Sequence, residues 1–394
     1  MSNSLNNIYN NVSFALMINA DAMTKLQEQV STGSRINRIS DDATGAYQVM
    51  GLETKQKSMD NYINLISDTM DSLDLSSSVL QNMLSSLSDV RTQLTQVANG
   101  IYTEDARKRA AEAIDSILEQ MVTLANTKNA GQYIFGGSNT SSAPYLAERT
   151  NGKISSVTYQ GGSQSRKIEV APGMQMSSIL VGDDIFRADD RGVPVFFGDT
   201  GAKEGTGTSS VIGDTWLTVT GSEGNWSLSI DGGLTSVSTD GTDTNLAVTN
   251  SKNGQVLYVD TTQIKDSGLS MVRTPGTNDL FSTLISVRDI LNNQSNLSEA
   301  QIRELQDTTL SSIEEITGLL TQTEVSVGSQ TGFLENLKSS LTDVKYNADD
   351  ESTRLQQADI AQISVDLSRR EVLYQMSLSI AGKLMSMSLL NFID

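Results

Sequence analysis

From Ile63 to Ile101 apolar residues recur in steps of three and four, at Ile63, Ile66, Met70, Leu73, Leu80, Leu84, Leu87, Leu94 and Ile101, with Ser77, Arg91 and Ala98 filling three further positions of the repeat. A sustained period of 3.5 with polar residues between is a coiled-coil seam rather than one face of a globular helix. Carried back to Gly45, this helix has about 55 residues and, at 1.5 Å per residue, spans about 80 Å, so it needs partner helices along its course. Ile114, Ile117, Met121 and Leu124 supply one after a break at Asn99-Gly100. Ile302, Leu305, Ile313 and Ile316, then Leu334, Leu337, Leu341 and Val344, supply another from the far end of the chain.

The outermost segments carry single apolar faces. Leu5, Ile8, Val12, Ala15, Ala22 and Leu26 share one in the first segment; Ile360, Ile363, Leu367, Tyr374, Leu378, Ala381, Met385 and Phe392 share one in the last, with Leu389 and Leu390 beside them. Residues 1–45 have a net charge of -1 and residues 350–394 of -2, against -19 for the chain. Ends this weakly charged in an acidic protein are expected where surfaces become buried against other copies. The plainer reading, a two-helix hairpin within an ordinary bundle, carries equal weight on the pattern alone.

Between the helical ends the pattern changes. All four prolines, Pro144, Pro172, Pro194 and Pro275, and 18 of the 30 glycines lie in 144–275. Proline removes a helical donor and clashes with the preceding turn, so helices run uninterrupted only outside this block. Alternating runs at 157–160 and 166–170 flank Gly161-Gly162 and predict a hairpin; Trp216–Thr220, Trp226–Ile230 and Val256–Asp260 repeat the strand pattern. The predicted class is therefore α + β and multidomain: a long helical coiled-coil rod built from both chain ends, with a central β-rich insert. Its expected domains are 1–45 with 350–394, a terminal assembly domain; 46–145 with 276–349, the rod; and 146–275, the insert, divisible at 186.

Composition narrows the function. The chain of 394 residues has no Cys and no His, which removes disulfides, thiolate or imidazole metal sites and Ser-His or Cys-His catalysis. The acidic balance disfavours nucleic acid. No run of eighteen apolar residues predicts a membrane span, and MSNSLNNIYNNVSFALM lacks the basic start and apolar core of a cleavable signal, so hydropathy alone points to the cytoplasm. Carboxylate pairs such as Asp183-Asp184, Asp189-Asp190 and Asp240 with Asp243 lack the spacing of a calcium loop and read as turns. No catalytic, cofactor or metal site is expected, and the chain does not read as an enzyme.

The segment Ser31-Thr-Gly-Ser-Arg-Ile-Asn-Arg-Ile-Ser-Asp-Asp-Ala-Thr-Gly45 resembles the signature that joins the first two helices in the bacterial flagellin family, with Arg35, Ile36, Asn37, Asp41, Asp42 and Gly45 as its fixed positions. Val90-Arg91 and the Ala98-Asn99-Gly100 stop are similar to that family's long-helix end. Tyr133-Ile-Phe-Gly-Gly137, Tyr159-Gln-Gly-Gly162 with Arg166 and Ile168, and the ending Ser388–Asp394 resemble the members that join hook to filament. Ile39 and Ala43 stand where those members often have proline, which is closer to the filament subunit. The resemblance implies a secreted, extracellular structural subunit of the flagellum, exported unfolded and assembled through its terminal helices. Its implied partners are a homo-oligomeric ring, flagellin, another hook-associated protein and an export chaperone. The alternatives are the filament flagellin itself and, distantly, a tip or translocator protein of a needle-type secretion system.

Overall fold

The computed structural model describes the chain apart from residues 1, 99–102, 294, 296 and 394; within the helices it leaves out the side chains of 2–6, 8, 9, 98, 384 and 386–393. Seven helices are described: α1 (Ser2–Thr32), α2 (Ala43–Ala98), α3 (Glu104–Ala125), α4 (Gly182–Phe186), α5 (Leu280–Leu291), α6 (Glu299–Gln356) and α7 (Ile360–Ile393). No proline falls in any of them, and every described strand lies between α3 and α5. The fold is α + β, with long helices from both chain ends around a central β-rich insert. The chain forms two compact units, Met1–Asn64 with Asn336–Asp394, and Leu65–Glu335.

In the second unit α2 buries Val79 and Ser86 and, in a regular series, Ile66, Thr69, Leu73, Ser76, Leu80, Met83, Leu87, Val90, Leu94 and Val97. Their alternating steps of three and four define the heptad seam. Half of it coincides with the sequence reading. The other half lies one residue earlier: Met70 and Leu84 are only half-buried, as is Ile63 in the first unit, while Arg91 is exposed and paired with Glu314. Ile101 falls outside the described residues. Two of the shifted positions are polar. Thr69 Oγ1 and Ser76 Oγ donate to their own helix, to Leu65 O at 2.7 Å and Ser72 O at 2.8 Å, so these hydroxyls enter the seam already satisfied.

The partner of α2 is α6, antiparallel. Gln81 bonds Glu324 at 2.8 Å and Arg91 meets Glu314 at 2.9 Å, ten residues forward on one helix matching ten back on the other. Within the first unit, Gln56 with Asp349 and Lys345 with Asp60 follow the same rule over four residues. Ile302, Leu305, Ile313, Ile316, Leu334 and Leu341 of α6 are buried, but Leu337 is half-buried and Val344 exposed. On α3 the buried face is Ala111, Ile114, Leu118, Met121 and Ala125, with Ile117 and Leu124 half-buried.

The β-rich region after α3 begins with three antiparallel hairpins: β1 (Lys128–Asn129) with β2 (Gln132–Tyr133), β3 (Tyr145–Thr150) with β4 (Lys153–Tyr159), and β5 (Lys167–Ala171) with β6 (Met174–Ser177). The expected hairpin about Gly161-Gly162 is therefore not formed. The turns fall at Asn151-Gly152 and Pro172-Gly173, whose positive-φ glycines fit tight reversals. Gly162 instead donates to Gly136 O at 2.8 Å, and Tyr159 Oη donates to Gly162 O at 3.0 Å. A side chain on Gly137, at φ 59°, would collide with Gly162 O. Beside this knot Phe135, Tyr145, Phe186 and Phe281 pack edge to face or tilted, with the Tyr145 and Phe281 ring centres 4.8 Å apart.

The rest of the insert comprises β7 (Val195–Phe197), β8 (Lys203–Glu204), β9 (Gly213–Ser222), β10 (Asn225–Ser229), β11 (Val237–Thr239), β12 (Leu246–Thr249), β13 (Val256–Asp260) and β14 (Gly268–Thr274). They form a five-stranded sheet, β11-β10-β9-β14-β7, and a three-stranded sheet, β12-β13-β8, sharing a core of Val211, Leu217, Val219, Trp226, Leu228 and Leu257. Two buried arginines fix this region. Arg273 binds Asp214 through two bonds of 2.6 and 2.7 Å, and Arg288 reaches Asp115 and Ile154 O, both at 2.7 Å.

Candidate assembly surface

The sequence signature at 31–45 folds into a joint in the first unit. Helix α1 ends at Thr32, and Gly33, at φ 70°, sends its amide back to Gln29 O at 2.9 Å, a left-handed stop that glycine adopts without strain. The chain then pairs with the turn between α6 and α7. Arg35 N donates to Gln356 O at 2.6 Å, Ala358 N donates to Gly33 O at 3.1 Å, and Ser34 bridges Gln357 antiparallel.

Arg35 adds its side chain to this zipper. Nη2 donates to Leu355 O at 3.1 Å, one of the carbonyls left open at the C-terminus of α6, where positive charge is favoured. Nη1 meets Asp42 Oδ2 at 2.9 Å, and Asp42 Oδ1 accepts from Gly45 N at 2.9 Å, capping α2. That amide, then Arg35, hold the Asp42 carboxyl below its ordinary range. Asp41 accepts from Arg38 N at 2.9 Å and Asn37 N at 3.2 Å, and meets Lys25 Nζ at 2.9 Å; Lys25 first, then the Arg38 amide, hold it low as well. Asn37 Nδ2 closes the turn onto Ser34 O at 3.1 Å. A methyl group at residue 45 would lie 2.6 Å from Asp42 Oδ2 and 2.7 Å from Ile36 Cδ1, so it would push the capping carboxylate and the Ile36 side chain aside. Asp359 caps α7 in the same way through Gln362 N at 3.0 Å.

Above this joint α1 and α7 pack antiparallel, with Arg370 Nη1 donating to Asn19 Oδ1 at 3.1 Å. On α1, Val12, Ala15, Leu16, Asn19, Ala22, Leu26 and Gln29 are buried or half-buried; on α7, Ile363, Leu367, Arg370, Tyr374, Ser377 and Ala381 are. These positions step by three and four and form the contact between the two helices. Val12, Ala15, Ala22, Leu26, Leu367 and Tyr374, expected to face neighbouring copies, therefore occupy the hairpin's own seam. Leu378, one residue past the seam position Ser377, and Met385 are exposed. Leu5, Ile8, Leu389, Leu390 and Phe392 fall among the side chains outside the described residues.

A second stripe was missed by the single-face reading. Phe14, Met17 and Ile18 on α1, and Val365, Val372, Leu373, Met376 and Ile380 on α7, are exposed, and their own steps of three, four and seven were visible in the chain. A groove of about 350 Å³ between the helices is lined by Val12, Ser13, Leu16, Leu378, Ala381, Gly382 and Met385. Asn19, Lys25 and Gln357 also escaped the sequence reading, because each acts through a partner on another segment of the chain. Among the described residues no three carboxylates gather as a metal site, and no helix is long and apolar enough to cross a membrane.

Residues 4–140 match the model of the bacterial flagellin N-terminal helical region. Flagellar hook-associated protein 3 of Escherichia coli is 32% identical over 163 residues, 41% of this chain and 49% of the relative. The flagellin of Listeria monocytogenes is 31% identical over 111 residues, 28% of this chain and 39% of the relative. The chain thus spans about half the length, or less, of these curated relatives. The crystal structure of hook-associated protein 3 from Legionella pneumophila superposes with a TM-score of 0.55 at 19% identity, covering 78% of this chain and 98% of that one. The N-terminal helical region is similar in sequence to that of the bacterial flagellins, and the chain has the fold seen in flagellar hook-associated protein 3.

Proposed function

We propose that this chain is a structural subunit of the bacterial flagellum that joins the hook to the filament, exported unfolded and assembled through its terminal helices. The observation that carries the reading is the α1/α7 hairpin, whose inner seam is filled while Phe14, Met17, Ile18, Val365, Val372 and Met376 stand in water. Apolar stripes of this kind on a chain of net charge -19 mark a contact surface. Neighbouring copies in a homo-oligomeric ring cover them, with flagellin and another hook-associated protein on either side and an export chaperone before secretion. The role is structural rather than enzymatic, and the site of action is the extracellular flagellum. On this reading residues 1–45 with 350–394 form the assembly domain, 46–145 with 276–349 the rod, and 146–275 the outer insert.

Support comes from the relatives named hook-associated protein 3 and from the shared fold. The filament subunit is the second reading, favoured by the similarity to Listeria flagellin and by Ile39 and Ala43 in the joint. Electron microscopy of cells lacking the gene separates the two. Bare hooks with filament protein shed into the medium are expected. Hooks without any filament protein, in cells or medium, would identify the filament subunit instead.

A further inference from the structure

The chain has no cysteine, so its 14 methionines carry all of its sulfur. Their exposure divides sharply. Met59, Met83, Met121 and Met271 are buried, none more than 7% exposed, whereas Met17, Met376 and Met385 are 57%, 58% and 53% exposed. Those three are the most exposed of the described methionine side chains, and all lie on α1 or α7. Met385 also lines the groove between these helices.

We propose that Met17, Met376 and Met385, exposed thioethers on the two contact helices, are oxidation-sensitive positions that regulate assembly, with a peroxide as the oxidant. The proposal rests on the reading of the α1/α7 hairpin as the contact surface. In the step, the thioether sulfur attacks one oxygen of hydrogen peroxide, the O–O bond breaks and an S–O bond forms. The transferred hydroxyl gives its proton to the departing hydroxide, yielding one sulfoxide and one water. Sulfur loses two electrons and the peroxide gains them. The product is a polar, chiral group on a surface that must become apolar interior, and a buried S=O without a donor opposes association. Oxidation acts only on the unassembled chain, because the contact that needs these thioethers also covers them. Methionine sulfoxide reductase reverses the modification.

The test uses the full-length protein, hydrogen peroxide, and hooks isolated from cells that lack the gene. Mass spectrometry of the treated monomer should find Met17, Met376 and Met385 oxidised about tenfold faster than Met83 and Met121, as exposure dictates. Treated protein should bind the hooks at least about tenfold more weakly than untreated protein, since each buried unsatisfied polar group is worth about that factor. Reductase treatment should restore binding. A chain carrying Met17→Leu, Met376→Leu and Met385→Leu, compared with its own untreated form, should lose little on peroxide treatment; a Met174→Leu chain should lose as much as the natural one. Untreated protein that ignores the hooks defeats the hook-joining reading and the inference with it. Untreated and oxidised protein binding equally, or the triple variant losing as much as the natural chain, overturns the inference alone.

Discussion

At the residue scale, Met83 and Leu84 show how burial overrides hydrophobicity. Leucine is the more apolar, yet Met83 is fully buried and Leu84 half-buried. Met83→Ala is expected to cost about 2 to 5 kcal/mol and Leu84→Ala clearly less, measured by chemical denaturation of the purified protein. Equal costs would place the seam where the sequence reading put it. The joint supplies a second residue-scale expectation. Asp41 and Asp42 both titrate below 3.8, so the stability they contribute is present above that pH and is lost as pH falls through their lowered values. Carboxyl titration by NMR should place both midpoints below 3.8 in the folded chain. Midpoints at or above that value would mean that the caps and the Arg35 and Lys25 contacts do not persist in solution.

At the element scale, α2 and the α1/α7 hairpin are opposites. The seam of α2 is closed by buried residues at every step from Ile66 to Val97, whereas α1 and α7 touch each other along one stripe and leave the other bare. Opening free energy follows buried contact, so amide exchange should be slow from 66 to 97 and fast in α1 before residue 30 and in α7 beyond residue 365. Strong protection at both ends of a dilute monomer would show that the hairpin needs no partner. The insert carries the same lesson for turns. Asn-Gly and Pro-Gly dipeptides mark the β3/β4 and β5/β6 reversals, while Gly161-Gly162 serves a close backbone approach.

At the scale of the whole molecule, every buried apolar side chain among the described residues lies between Ala46 and Ile363. Removing residues 375–394 should therefore leave the main thermal transition of the monomer within a few degrees of its original midpoint. Cells carrying the truncated chain should still export it but shed filament protein into the medium. A much lower midpoint would make α7 an ordinary core element. Normal motile filaments would remove the hook-joining reading.

Proline placement and the 3.5-residue period were enough to read the helical ends, the β-rich insert and the nested order of the chain, because backbone donors and helical periodicity are local properties. The signature from Ser31 to Gly45 was legible for the same reason: a left-handed glycine, an aspartate cap and a crowded Gly45 act within fifteen residues. Only the tertiary structure decided which of Thr69 or Met70, and Met83 or Leu84, is buried, since the register depends on the partner helix. It alone joined Arg35 to Leu355 and Gln356, which lie 320 residues or more away. It also settled which stripe of α1 and α7 is spent within the hairpin and which stays exposed, because two apolar stripes on one helix look alike until a partner covers one of them.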